Sequence, residues 1–405
     1  MQTNIIKNIL NPELTLEADK ILRSCVHCGF CTATCPTYQL FSDELDGPRG
    51  RIYLVKQMLE GQEISDKTVT HLDRCLTCRS CETTCPSGVQ YSRLLDIGRT
   101  VAEQKFKRPL FNRILRKSLL SFMLSTGFFK FSIQLLQPFS FIFPKKLKAK
   151  IKIQSTDLNW PGTQHNRKVI LLTGCAQDTF APVIDKQLAH LLDRCGFQVE
   201  VFNGCCGALP QHMAAEDKAT SIMTNNIDRW KALLDTESNI EAIIMSSSGC
   251  GVTLKEYNKY LQYDKNYASE ANRISALVKD PVELLEANID KLTQSLSRTL
   301  SFHAPCTLQH GLRVHTKVES LLTQLGYQLN IIKDSHLCCG SAGSYSIFQP
   351  DIAGQLLKNK ITCLEENQPD IIASSNIGCL MHLNTASKQP VKHWISVVFE
   401  NLKKN

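Results

Sequence analysis

Two stretches of this chain repeat one chemical pattern: "CVHCGFCTATCP" at residues 25–36 and "CLTCRSCETTCP" at residues 75–86. Cys25, Cys28, Cys31 and Cys35 map onto Cys75, Cys78, Cys81 and Cys85 with a constant offset of 50, and Pro36 maps onto Pro86. Two intervening residues let consecutive thiolates bend around one cubic cluster while backbone N–H groups point at its bridging sulfides. Proline after the fourth cysteine turns the chain away, and in two-cluster ferredoxins that fourth cysteine ligates the other cluster. Neither copy is then complete alone. Cys25, Cys28, Cys31 and Cys85 are expected to hold one [4Fe–4S] cluster, and Cys75, Cys78, Cys81 and Cys35 the second. Structural zinc usually takes two separated CxxC pairs and fits this spacing less well. Arg23, Arg74, Arg79 and Arg93 lie close by in sequence. Positive charge there would raise a cluster's potential; solvated surface arginines are the plainer reading.

A second set of thiols recurs in the remaining two-thirds of the chain. Cys175, Cys205, Cys206 and Cys250 are matched by Cys306, Cys338, Cys339 and Cys379, with offsets of 131, 133, 133 and 129. Each copy contains a CCG triplet, whose glycine lets the backbone turn tightly beside a bulky ligand. Four thiols per copy suffice for a further cluster or a zinc ion. Cys195 and Cys363 have no counterparts and fall in helical patterns, so they read as buried core thiols. His310 and His382 follow repeat cysteines but read as hydrogen-bonded histidines rather than ligands.

These cysteines must be positioned by two kinds of scaffold. "GPRGRIYLVKQMLEG" opens with turn residues and continues with apolar positions at helical spacing, and a second helix is expected from about Ser65 to Leu72. The first part is therefore a helical, ferredoxin-like domain. Farther on, short β-branched runs such as "KVILLTGC" alternate with helical patterns such as "PVIDKQLAHLLDRCG". That alternation predicts two tandem α/β units with parallel strands, the cysteines falling just after strands, where open α/β sheets place their sites. The expected fold class is α+β multidomain. Its parts are a helical domain over 1–104, a basic amphipathic linker over 105–160, one CCG domain over 161–270, a helical connector over 271–299 and a second CCG domain over 300–405.

The composition, 43% hydrophobic and 21% charged, is that of an ordinary globular protein. Eighteen cysteines and a start without a secretory pattern predict a cytoplasmic protein whose thiols bind metal or carry redox chemistry. The net charge of +8 comes from one segment, Lys105 to Lys152, with twelve Lys or Arg and no Asp or Glu. From Ser118 to Leu136 this segment is apolar apart from Lys130 and scattered hydroxyls, and Gly127 and Pro138 interrupt it. It reads either as helices resting on an anionic membrane surface or as helices packed on their own α/β units. Its apolar content argues against nucleic acid as the partner. GxGxxG after a strand, a P-loop, a Ser-His-Asp set and HExxH are all missing. Oxidation of an organic substrate is therefore expected to need a flavin on another subunit, because iron–sulfur clusters carry one electron at a time.

The duplicated CxxCxxCxxxCP followed by two CCG repeats resembles the iron–sulfur subunits of flavin-linked 2-hydroxyacid dehydrogenases, those of the glycolate oxidase type most closely. The stretches that carry the resemblance are "CVHCGFCTATCPTYQL", "DELDGPRGRIYL", "HLDRCLTCRSCETTCPSGV", "CTLQHG", "DSHLCCGSAGSY" and "NIGCLMHL". The resemblance implies an electron-transfer component, not catalytic alone, in a complex whose flavoprotein subunits bind FAD and oxidise glycolate to glyoxylate. Electrons would pass through this chain's clusters to a quinone-type acceptor, with the complex peripheral on the cytoplasmic face of the inner membrane. Lactate or anaerobic glycerol-3-phosphate dehydrogenase subunits, or a catalyst resembling heterodisulfide reductase, are the alternatives. In the latter the last CCG element is CxxC, whereas the earlier position here is Ser247 in one copy and Asn376 in the other. That departure leaves an ordinary cluster, zinc and an empty site all open for the CCG cysteines.

Overall fold

The computed structural model describes residues 1–139, 141, 153, 157–292 and 298–402. The N-terminal part is helical, as the spacing predicts. Helix Pro12–Ser24 starts at Asn11, whose side chain accepts the Leu14 N–H at 2.8 Å, and helix Asp66–Asp73 is capped in the same way by Ser65. Helix Pro48–Leu59 crosses helix Tyr91–Lys105, and their apolar faces join Leu22, Val55, Leu59, Leu72, Leu94 and Val101 into one core. Gly50 explains itself: a Cβ there would lie 2.1 Å from the Glu44 carbonyl oxygen, so only glycine lets this helix seat against the turn before it.

The rest is two copies of one α/β unit. In the first, β1 (Arg167–Leu172), β2 (Phe197–Phe202), β3 (Ile240–Ile244) and β4 (Val278–Lys279) form a parallel sheet in the order β2-β1-β3-β4. In the second, β5 (Arg298–His303), β6 (Tyr327–Leu329), β7 (Ile371–Ser374) and β8 (Val391–His393) repeat it as β6-β5-β7-β8. The central strands are covered on both faces, which is why they read as continuous apolar runs. Val169, Leu171, Ala242 and Ile244 face a core shared with the second unit, while Ile170, Leu172 and Ile243 face the first unit's outer helices. Val278–Lys279, read from sequence as part of a helical connector, is instead an edge strand of the first sheet. Two residues are too short for periodicity to reveal.

The basic segment folds as helices Leu110–Leu124 and Thr126–Leu136, bent by 93° to one another. The break falls at Ser125, which closes one helix and opens the next, rather than at Gly127. Among the described residues no single helix is long and apolar enough to cross a membrane. Leu120, Phe129 and Ile133 are buried, and Phe129 meets Phe180 of the first unit edge-on at 5.7 Å. Lys130 pairs with Asp178 at 2.8 Å. The opposite faces, with Leu110, Phe111 and Ile114 on one helix and Phe128, Phe131 and Leu135 on the other, remain exposed. The packed face fits the reading as helices seated on their own α/β units. Lys145, Lys146, Lys148, Lys150 and Lys152 lie outside the described residues.

Candidate metal centres

The two CxxCxxC loops share one backbone conformation. His27 and Gly29 in the first, and Thr77 and Arg79 in the second, all have positive φ, at 56°, 86°, 53° and 63°. Three of these four are not glycine, so the surroundings must over-determine the loops. Alternating left-handed residues turn successive N–H groups toward one side, forming an anion-binding concavity. The Thr77 N–H reaches the Cys75 sulfur at 3.4 Å. Short helices Phe30–Ala33 and Ser80–Thr84 then pack side by side, and the Thr84 hydroxyl meets that of Thr34 at 3.2 Å. The fifty-residue offset is therefore also a spatial pseudo-symmetry.

That packing gathers the thiols crosswise. Cys25, Cys28, Cys31 and Cys85 line one pocket, which Cys81 also lines. The Cys31 thiol is pushed up to about 11 by burial, then by Cys25, with Cys85 and Cys28 adding to it. Cys78 and Cys81 lie in a second group with Cys75 and Cys35, and burial raises both thiols well above the ordinary range. Sulfurs that raise one another's pKa this way are costly to hold as bare thiolates. A cationic iron cluster is the kind of group that lets all four ionise together, so both groups fit a [4Fe–4S] cluster. The groups differ in access. Cys28 is exposed, with Val26 and Phe30 beside it, whereas Cys35, Cys75, Cys78 and Cys81 are all buried.

The four arginines near the motifs are all ion-paired: Arg23 with Asp19, Arg74 with Asp46, Arg79 with Glu256 and Arg93 with Glu17. The charge that sequence reasoning missed is Arg51, 1% exposed. It donates to the His71 carbonyl at 2.7 Å, to the Thr37 hydroxyl at 3.1 Å and to the buried Asp46 carboxylate at 3.3 Å. Burial works against its charge, but Cys75, Tyr91, Cys35 and Asp46 together hold it firmly protonated. The signal was present, since Arg51 shares a helix face with Val55, Met58 and Leu59, the face that enters the core. Tyr91 was likewise unforeseen; its hydroxyl donates to the Cys75 sulfur at 3.5 Å.

In each α/β unit the four repeat thiols converge at the strand ends. Cys205 is in hydrogen-bond contact with Cys175 and Cys206, and Cys206 with Cys250. Cys338 contacts Cys306 and Cys339, and Cys339 contacts Cys379. The glycine of each triplet has a left-handed backbone, φ 90° at Gly207 and 89° at Gly340. Its N–H points at the first cysteine of the pair, 3.4 Å from Cys205 and from Cys338. Four converging sulfurs fit zinc or a cluster. Asn376 stands where a CxxC would place a thiolate, but its side chain caps helix Ile377–Asn384 by accepting the Gly378 and Cys379 N–H groups at 2.9 and 3.4 Å. His310 bonds Thr83 and the His336 carbonyl, and His382 the Ala353 carbonyl. Cys195 is a core thiol, whereas Cys363 is not: it is half-buried and lines a surface cavity.

The two α/β units hold the helical part differently. The first grips it through polar contacts, a bidentate Arg79–Glu256 pair at 2.7 and 2.5 Å and a Thr100–Glu216 bond at 2.8 Å. The second meets it at the thiols: Leu76 and Cys78 pack against Cys338 and Tyr345, Cys306 lies beside Cys78, and the Tyr345 hydroxyl donates to the Arg74 carbonyl at 3.0 Å.

A model of the 4Fe-4S dicluster domain matches residues 21–89, and one of the CCG cysteine-rich domain matches residues 169–255 and 300–384. The chain is thus an iron–sulfur protein of the dicluster type with two cysteine-rich repeats. It is 48% identical, over the full length of both chains, to the glycolate oxidase iron-sulfur subunit of Escherichia coli. It is 28% identical to the probable glycolate oxidase iron-sulfur subunit of Bacillus subtilis, over 89% of this chain and 88% of that one. Lactate utilization protein A of Bacillus subtilis is 24% identical over 53% of this chain and 90% of its own. The chain belongs to the glycolate oxidase iron–sulfur subunit family.

Proposed function

We propose that this chain is the electron-transfer subunit of a flavin-dependent glycolate dehydrogenase complex, taking electrons from an FAD-bearing partner and passing them to a quinone-type acceptor. Cys25, Cys28, Cys31 and Cys85 hold one [4Fe–4S] cluster; Cys75, Cys78, Cys81 and Cys35 hold the other. When bound, each cluster accepts and releases one electron at a time. The observation that carries this reading is the crosswise gathering of the thiols, Cys85 with the first triplet and Cys35 with the second. The exposed Cys28 makes the first site the accessible point of entry, and the buried second site lies deeper in the chain. Arg51 and the inward-turned loop amides offset the anionic charge of the second site. The eight CCG cysteines are assigned as two further thiol sites able to take zinc or a cluster.

Glycolate is favoured over lactate because the likeness to glycolate oxidase subunits runs over the whole chain, while that to lactate utilization protein A covers about half. A catalyst resembling heterodisulfide reductase is disfavoured because Asn376 is committed to its helix cap. The exposed apolar faces of helices Leu110–Leu124 and Thr126–Leu136, in a segment without acidic residues, support a peripheral position on an anionic membrane on its cytoplasmic side. The test is anaerobic mixing of the cluster-loaded chain with its flavoprotein partner. Glycolate is expected to generate the reduced-cluster EPR signal only when the flavoprotein is present. Reduction by lactate or glycerol 3-phosphate but not by glycolate would reject the substrate assignment.

A further inference from the structure

One cavity is lined by a thiol of one group, Cys338, and by the residue next to a thiol of another, Pro36. It has a volume of about 390 Å³ and opens between the short helix Pro36–Phe41, which follows Cys35, and helix Pro350–Glu365. Pro36, bonded to Cys35, and the buried Cys338 form its inner wall with Leu40 and Leu356. Leu40 in turn packs on the Leu76–Cys78–Cys338 cluster, so this wall is continuous with the surroundings of the second iron–sulfur site. The rim is polar and open to solvent, with Gln39 and Asn359 presenting side-chain amides. Lys360 is 4% exposed and donates to the carbonyls of Asp334 and Ser335 at 2.7 and 3.4 Å. An ammonium has three N–H groups, so one more is left for a ligand oxygen.

We propose that this cavity is the electron-acceptor site and that it takes the ring of a quinone. The inference rests on the quinone-type acceptor proposed above. The volume falls within the ~300–1,000 Å³ of small-molecule sites, and an apolar floor with a few polar groups at one side is their usual lining. A planar ring with carbonyl oxygens matches that division: the ring lies on Pro36, Leu40 and Leu356, and the oxygens meet Lys360 and the rim amides. A ring seated there is in contact with the residue bonded to Cys35 and with Cys338, whose neighbour Cys306 lies beside Cys78. The electron has no gap of solvent to cross. The balance is that of quinone reduction: two electrons come singly from reduced clusters, which the flavin partner reduces again, and two protons come from solvent at the open rim. The product is the hydroquinone, and no other co-reactant is needed.

Cys363 lines the same cavity and has no place in any thiol group, which makes it a reporter. In the anaerobically purified complex, a short-chain quinone is expected to slow alkylation of Cys363 at least fivefold, read by mass spectrometry of its peptide. Asn359→Trp, a change at an exposed helix position, is expected to lower the ratio of quinone-linked to phenazine-linked glycolate oxidation at least tenfold through the quinone KM. Alkylation at the same rate with and without quinone, or a ratio within twofold of wild type, overturns the site. A wild-type complex that reduces no quinone at all overturns the acceptor reading itself, and so the two failures are distinguishable.

Discussion

Replacing Arg51 by glutamine should lower the midpoint potential of the second cluster and leave the first nearly unmoved. Two hydrogen bonds in series, 3.1 Å from Arg51 to the Thr37 hydroxyl and 3.3 Å from there to the Cys35 sulfur, place a full positive charge within about 6.4 Å of a proposed ligand. At an effective dielectric constant of ~20, a unit charge at that range is worth about 2.6 kcal/mol. For a one-electron couple this corresponds to a fall of order 100 mV. The sign follows from the added electron, which makes the cluster more anionic and so depends more on the guanidinium. Stability should fall as well, by about 3 kcal/mol, because Asp46 stays buried with one partner fewer. Arg51→Lys separates the two effects: it keeps the charge while losing the fork that reaches Thr37, His71 and Asp46 together, so stability drops with most of the potential retained. The assay is an EPR-monitored redox titration of the anaerobic chain, with the Cys25–Cys28–Cys31–Cys85 site as internal reference. A shift below ~20 mV for Arg51→Gln, or equal shifts at both sites, would refute the reasoning.

Cys85→Ser should remove or degrade the cluster of the first triplet, and Cys35→Ser that of the second; iron analysis with EPR would sink the crosswise assignment if each change damaged the cluster of its own triplet. Asp185 is fully enclosed, and burial pushes its carboxyl up to about 7 although Ser246 and Gln177 donate to it. Its folded pKa lies above the unfolded 3.8, so the fold disfavours the ionised form. The stability is whole below about pH 4 and is lost progressively up to about pH 7. Asp185→Asn should therefore gain stability relative to wild type as pH rises from 5 to 8, by up to about 2.7 kcal/mol, read as a widening Tm difference, and a pH-independent difference would contradict this. The chain should co-sediment with vesicles containing anionic lipid at low salt, and Phe111→Ala with Phe131→Ala should weaken that binding roughly tenfold or more, each ring being worth about 2 kcal/mol on burial. Equal binding to neutral vesicles, or none at low salt, would count against the membrane surface.

The cysteine chemistry was legible in the sequence because it is local. The offset between Cys25 and Cys75 reappears as matched left-handed residues at 27 and 77 and at 29 and 79, and the CCG glycine reappears as φ near 90° in both units. Runs such as "KVILL" announced parallel strands because burial on both faces erases alternation. What sequence spacing hid was set by distant partners. Arg51 looks like any basic residue until His71 and Asp46 close around it. Cys363 sits in a helix that should bury it, but the facing element is the short helix Pro36–Phe41, more than 300 residues away, and a cavity separates the two. The helix break at Ser125 likewise depends on how Phe129 and Ile133 seat on the first α/β unit.

The duplicated α/β unit is symmetric in its thiols and asymmetric in its use. Both copies converge four sulfurs at their strand ends, yet the helical part turns Cys78 toward Cys306 and Cys338 of the second copy alone and meets the first through Arg79 and Glu256. An ion pair of 11% and 12% side-chain exposure fixes orientation, since its geometry is bidentate and neither charge can relax into water. Packed apolar side chains and sulfur exclude water and shorten the path for an electron. The first unit therefore acts as a clamp that holds the second CxxCxxC loop in register, and with the acceptor site proposed above the second unit would extend the electron path toward the cavity. A gene duplication alone would have left the two copies equivalent. What makes them different is the docking of residues 74–83, and this is why the arginine of the second CxxCxxC loop stands where the first loop has glycine.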